Sequence, residues 1–150
     1  MVEDQRRAKK KISLISDMKT WGLQPKVLRL LLQLIEDCKA QGYDIRITEG
    51  FRSFARQNAL YAQGRTIPGV IVTNAKAGQS LHNYGVAFDI VFTKLGYKGD
   101  FAAVGAIGKK LGLEWGGDFK SIKDRPHFQL TLGYKLADFQ KNRIDWLKYS

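Results

Sequence analysis

Apolar residues recur at helical spacing between Pro25 and Ala40, where Val27, Leu31, Leu34, Ile35 and Cys38 fall on one face. Pro25 suits a first helical turn, where its missing N–H leaves no bond unmade, and Gly42 marks the stop. The spacing therefore predicts a helix over 25–40, with Cys38 on its buried side. The period then changes. Tyr43-Asp44-Ile45-Arg46-Ile47-Thr48 alternates, placing Ile45 and Ile47 on one face of a strand that ends at Gly50. Ser53 stands where an N-cap would open a helix from Phe54 to Ala62, and Gly64 closes it. A glycine-bearing loop follows from Arg65 to Gly78.

Alternation returns between Gly85 and Phe92. Val86, Phe88 and Ile90 face one way there, and Ala87, Asp89 and Val91 the other. A further helix starts at Asp100 or Phe101 and ends near Gly112. His127 to Leu132 reads as a third strand, and Leu136 to Trp146 as a last helix. Short strands separated by irregular loops favour an α+β fold over a doubly wound parallel sheet. No repeat, low-complexity tract or linker divides the sequence, so the expectation is one domain over residues 1–150 with a basic amino-terminal lead-in at Arg6 to Lys11.

Bulk properties narrow the classes. A chain of 150 residues can bury a real core without disulfides, and its one cysteine excludes both a disulfide framework and a cysteine-rich metal motif. The charged start lacks the apolar segment of a secretory signal, and no run approaches the ~18 apolar residues of a membrane span. The expected product is a soluble, monomeric protein made in the cytoplasm, which reaches any target in the cell wall by another route. A formal net charge of +11 attracts polyanions, nucleic acid and anionic cell-envelope polymers alike. No helix-turn-helix, zinc-finger or RNP-like pattern accompanies it, so specific nucleic-acid reading is not expected.

The candidate chemistry rests on histidine. Only two occur, His82 in Ser80-Leu81-His82-Asn83-Tyr84-Gly85 and His127 in Asp124-Arg125-Pro126-His127, each near a carboxylate. Neutral imidazole and carboxylate are the donors that hold a catalytic zinc ion while leaving a position open. Small Ala87 shares the face of Asp89, and Gly85 permits the sharp entry that would swing His82 over it. His127 and Gln129 share a face of the third strand. Two such strands side by side would aim His82, Asp89 and His127 at one point. Pro126 keeps Arg125 extended, so Asp124 and His127 are not on one helical face, yet Asp124 can reach a water at the site without being a ligand. Against this stands the alternative that each histidine is a hydrogen-bonded core residue, and spacing alone leaves the two open.

The pattern Ser80-x-His82-x-x-Gly85-x-Ala87-x-Asp89 with Asp124-x-x-His127 resembles the zinc-peptidase superfamily of D-alanyl-D-alanine peptidases, lysostaphin-type endopeptidases and the hedgehog amino-terminal domain. Glu49-Gly50-Phe51-Arg52-Ser53 with Gln57 is similar to its L-alanyl-D-glutamate endopeptidase branch of phage endolysins and bacterial cell-wall hydrolases. So are Leu60-Tyr61-Ala62-Gln63-Gly64-Arg65-Thr66, Val72-Thr73-Asn74-Ala75 and Trp115-Gly116-Gly117-Asp118-Phe119. The resemblance runs from about Leu23 to about Leu130. It implies a small, mainly antiparallel sheet carrying the zinc site, flanked by helices. It implies His82, Asp89 and His127 as Zn²⁺ ligands, Asp124 as general base and acid, and Arg52 as donor to the polarised carbonyl or a substrate carboxylate. Ser80 is expected to bond substrate or the backbone of His82, and Gln57 to support the site from its helix. Trp115 and Asp118 stay outside the catalytic set. Glu49 departs from the small residue expected before Gly-Phe-Arg-Ser.

The activity so implied is hydrolysis of peptidoglycan stem peptides between L-Ala and D-Glu, with the basic surface drawing the enzyme to anionic envelope polymers and no separate wall-binding domain. Release of D-Ala by a D,D-carboxypeptidase or dipeptidase is the alternative within the class. A non-catalytic wall-binding module of the same fold is a second.

Overall fold

The computed structural model describes residues 19–150; the basic cluster Arg6–Lys11 lies outside the described residues. The first helix, α1 (Pro25–Ala40), has the limits its apolar period predicts. It buries Val27, Leu28, Leu31, Leu34 and Cys38 against the core, with Ile35 at the margin. Strand β1 (Ile45–Glu49) follows, then α2 (Phe54–Ala62), capped by the Ser53 side chain accepting from the Arg56 N–H. After the long loop come a 3-10 turn over Leu81–Tyr84 and β2 (Ala87–Phe92). Helix α3 (Phe101–Lys110), capped by Asp100, leads into β3 (Glu114–Trp115) and a second 3-10 turn. Strand β4 (His127–Gln129) and α4 (Leu136–Gln140) complete the set with a closing 3-10 turn over Trp146–Tyr149.

The four strands form one antiparallel sheet in the order β1-β2-β4-β3, so the fold is α+β as expected. Its centre is the β2–β4 pair, with Ala87 opposite Gln129, Phe88 opposite Phe128 and Asp89 opposite His127. Alternation gives the pair two chemically distinct faces. On one, Phe88, Ile90 and Phe128 are completely buried beneath the helices, and the Phe88 and Phe128 rings stack at 5.7 Å. On the other, Asp89 and His127 stand side by side. The register of one short ladder thus sets both the core and the polar site.

Two sequence expectations need correction, the third strand and the last helix. His82 lies in a 3-10 turn. Ser80 caps that turn and Gly85 ends it in the left-handed region at φ 73°, where a Cβ would also press on the carbonyl of Gly22. The third strand stops at Gln129, because the chain turns away at Leu132 and Gly133, both with positive φ. The last helix spans only Leu136–Gln140: Asn142 adopts a positive φ of 52°, and the chain resumes as a 3-10 turn that seats Tyr149 in the core with its hydroxyl on the Leu130 carbonyl. Trp115 belongs to β3, a two-residue strand too short for any periodicity to announce.

Candidate functional site

Strand β2 supplies Asp89, β4 supplies His127 beside it, and the 3-10 turn before β2 carries His82 over the same face. The donor atoms of the three lie within 4.8 Å of one another. One carboxylate oxygen, Asp89 Oδ1, stands 3.3 Å from His82 Nε2 and 3.3 Å from His127 Nδ1. The far nitrogen of each ring is already engaged. His82 Nδ1 lies 2.8 Å from the Gly50 carbonyl, and His127 Nε2 lies 2.8 Å from Gln129 Oε1. An acceptor at each of those positions requires the ring to donate there. In a neutral ring that leaves the lone pair of His82 Nε2 or His127 Nδ1 on the side of Asp89, free for an ion, whereas a ring carrying a second proton donates there to the carboxylate.

This donor set fits a zinc ion. Ligands about 2.0–2.1 Å from a tetrahedral ion stand roughly 3.4 Å apart, close to the two nitrogen–oxygen separations seen here. Two imidazoles and one carboxylate leave a fourth position, and the site opens onto a cleft of about 570 Å³. Burial alone would raise the Asp89 carboxyl. When the rings carry the second proton, hydrogen bonds from His127 and His82, and their charge, outweigh it and hold the group well below the ordinary carboxylate range. For His127 burial disfavours the charged ring, yet the hydrogen bond and charge of Asp89 raise its proton affinity above the usual value. Asp89 is thus the anionic centre of the cluster.

Asp124 sits at the rim, with Oδ2 4.0 Å from His127 Nδ1 and 53% of its side chain open to solvent. Its carboxyl is raised, first by desolvation against the cleft wall and further by the Asp89 carboxylate, despite the opposing pull of His127, His82 and Arg52. The turn that holds it is clamped from below. The Asp124 N–H donates to the Gly116 carbonyl, and Trp115 Nε1 donates to the Arg125 carbonyl at 2.7 Å. A Cβ on Gly116 would run into the Asp124 carbonyl, so that position has room for glycine alone. Trp115 therefore holds the turn that carries Asp124 rather than lining the cleft. Asp118 pairs with Lys109 at 2.9 Å, away from the cluster.

On the opposite wall Arg52 is nearly buried, with 12% of its side chain exposed. Its Nε donates to Glu49 Oε1 at 2.8 Å and its Nη1 to Gln57 Oε1 at 3.0 Å. Gln57, completely buried on α2, passes its own N–H to the Ala75 carbonyl and so ties Arg52 to the long loop. Ser80 Oγ accepts from the His82 N–H at 3.3 Å, and Ser80 also lines the cleft. Sequence reasoning missed Asn83, which donates to the Arg52 carbonyl and accepts from the Gly78 and Ser80 N–H groups. It also missed the part of Gln129, although strand parity had already put that residue on the face of His127.

The chain belongs to the VanY family of D-alanyl-D-alanine carboxypeptidases, whose model matches residues 20–109. Among curated proteins it is 47% identical over 104 residues to the peptidoglycan L-alanyl-D-glutamate endopeptidase CwlK of Bacillus subtilis (strain 168). That match covers 60% of this chain and 62% of CwlK, so it spans less than two thirds of the relative. Among solved structures, the Serratia marcescens L-Ala D-Glu endopeptidase ChiX superposes with a TM-score of 0.54 at 26% identity, covering 74% of this chain and 82% of that one. The vancomycin resistance D,D-pentapeptidase VanY from a VanB-type cassette, in complex with Zn(II), has the same fold, with a TM-score of 0.57 at 14% identity and coverage of 85% and 83%.

Proposed function

We propose that this protein is a zinc-dependent peptidase that cleaves peptidoglycan stem peptides at the L-alanyl–D-glutamate bond. The observation that carries the proposal is the His82–Asp89–His127 cluster, the far nitrogen of each ring held by an acceptor, open to a cleft with Asp124 at the rim. The likeness to CwlK and ChiX supports the choice of bond. His82 Nε2, Asp89 and His127 Nδ1 would hold the ion. When bound, zinc supplies a Lewis acid and brings the pKa of a water near 7.

The remaining work falls to the chain's own groups. Asp124 takes the proton of the attacking water as the new C–O bond forms, then returns it to the amine of the departing D-Glu as the C–N bond breaks. A carboxylate at the rim, within reach of the cleft but outside the ligand set, is placed for both transfers. Arg52 donates to the oxyanion or to an acidic group of the substrate, in a partly desolvated wall where such a bond is strengthened. Gln57 and Ser80 hold Arg52 and His82 in place.

Incubation of the protein with purified murein, with and without a chelator, tests this reading. Mass spectrometry is expected to find new L-Ala carboxyl and D-Glu amino ends, lost when metal is removed. Loss of a single D-Ala instead would assign the D,D-carboxypeptidase reading, which the family model favours and for which Arg52 offers a carboxylate partner. Asp124→Ala is expected to bind zinc as the wild type does and to lose turnover by a factor of ~10² or more; normal turnover in that variant removes Asp124 from the mechanism.

A further inference from the structure

Glu49 has no part in the chemistry proposed above, yet it occupies a singular position. The β1–β2 ladder shifts register between Ile47 and Glu49, so that Glu49 is paired directly with Asp89. A bulge of this kind re-aims a side chain, and here it sets two carboxylates opposite each other across neighbouring strands. Like charges so placed repel unless each is occupied elsewhere. Asp89 is occupied by the two histidines. Glu49 Oε1 is occupied by two guanidinium groups, Arg52 Nε at 2.8 Å and the exposed Arg56 Nε at 3.2 Å. These contacts outweigh the burial that would raise the Glu49 carboxyl and leave it lowered, so it stays an anion. Although Glu49 lines the cleft, its carboxylate is committed to the arginines and stands outside the cluster of possible metal donors.

The consequence lies in Arg52. With Nε given to Glu49 and Nη1 to Gln57, the Nη2 amino group is the guanidinium nitrogen to which no protein acceptor is assigned among the described residues. An arginine normally offers a whole fork of donors and binds carboxylates through two at once. We propose that Glu49 is the positioning residue for Arg52, pinning the guanidinium so that it meets the substrate through Nη2. This rests on the reading that Arg52 addresses the substrate. Glu49 acts only through Arg52, and its removal leaves a nearly buried cation without its anion.

The test uses the zinc-loaded full chain and two independent measurements. In ¹H–¹⁵N spectra the Arg52 Nε–H, assigned by its absence from Arg52→Ala, is expected to exchange slowly in wild type. Glu49→Ala should abolish that protection, while Glu49→Gln, which keeps an acceptor oxygen, should retain most of it. On purified murein, Glu49→Ala is expected to lower kcat/KM about tenfold, with Glu49→Gln within about threefold of wild type. Glu49→Ala should cost nothing further in an Arg52→Ala background, the signature of two residues acting as one. An Nε–H unchanged in Glu49→Ala, or losses that multiply in the double variant, overturns the proposal. If the wild type leaves murein intact, the peptidase reading fails by itself and the spectra still decide the role of Glu49.

Discussion

Gln129 shows how much of this site is carried by residues that touch neither metal nor substrate. By accepting from His127 Nε2 it holds the ring in the tautomer whose Nδ1 faces Asp89. Partners of this kind commonly contribute a factor of 10–100 in metal affinity. Gln129→Ala is therefore expected to weaken zinc binding about tenfold or more, read by competition with a chromophoric chelator, while the fold persists. The histidines were legible in sequence because only two occur in the chain, and strand parity together with the family-like spacing singled out Asp89 among its many aspartates. Gln129 was half legible, since parity gave its face but not its purpose. Asn83 and the Gly50 carbonyl were not legible at all. Their contacts join segments about thirty residues apart, which no local pattern encodes.

At the scale of elements, α1 and α2 match their expected limits, α1 through Pro25 in its first turn, its apolar period and the Gly42 stop, α2 through the Ser53 cap and the Gly64 stop. The carboxy-terminal segment went astray for the opposite reason. Its apolar residues Leu136, Phe139, Trp146 and Tyr149 could be read on through Trp146 as one helix, whereas the chain breaks at Asn142 so that Phe139 and Tyr149 can both reach the core. Strand β3 is only two residues long, and its existence follows from β4 needing a partner on its outer side. The short β2–β4 ladder leans on the Phe88–Phe128 stack beneath it. Phe128→Ala is expected to lower unfolding stability by about 3–5 kcal/mol in urea titrations. It should also weaken zinc binding, since His127 is the residue next to it in β4.

For the molecule as a whole, Glu49 makes acid stability a reporter of the same architecture. Its carboxyl is lowered in the folded protein relative to the ordinary value of 4.5, through Arg52 and Arg56 acting against burial. A depressed folded-state pKa contributes stability that is present above the unfolded value and lost as pH falls through the folded one. Thermal melts of Glu49→Gln are thus expected to lie below wild type at neutral pH. The gap should close as the medium is acidified below about 4.5.

Among the described residues, three residue pairs join β2 to β4, with a flanking backbone hydrogen bond at each end, and the next strand adds two more pairs. A cation gripped by His82, Asp89 and His127 would act as a clasp across that slender seam, fastening the stretch from Gly116 to Gln129 to the rest of the sheet. Stripping the ion should then quicken amide hydrogen exchange in this stretch well before α1 loosens. Each tenfold excess of free zinc over its dissociation constant should restore about 1.4 kcal/mol of stability. Exchange rates indifferent to zinc would mean that the seam holds without the clasp.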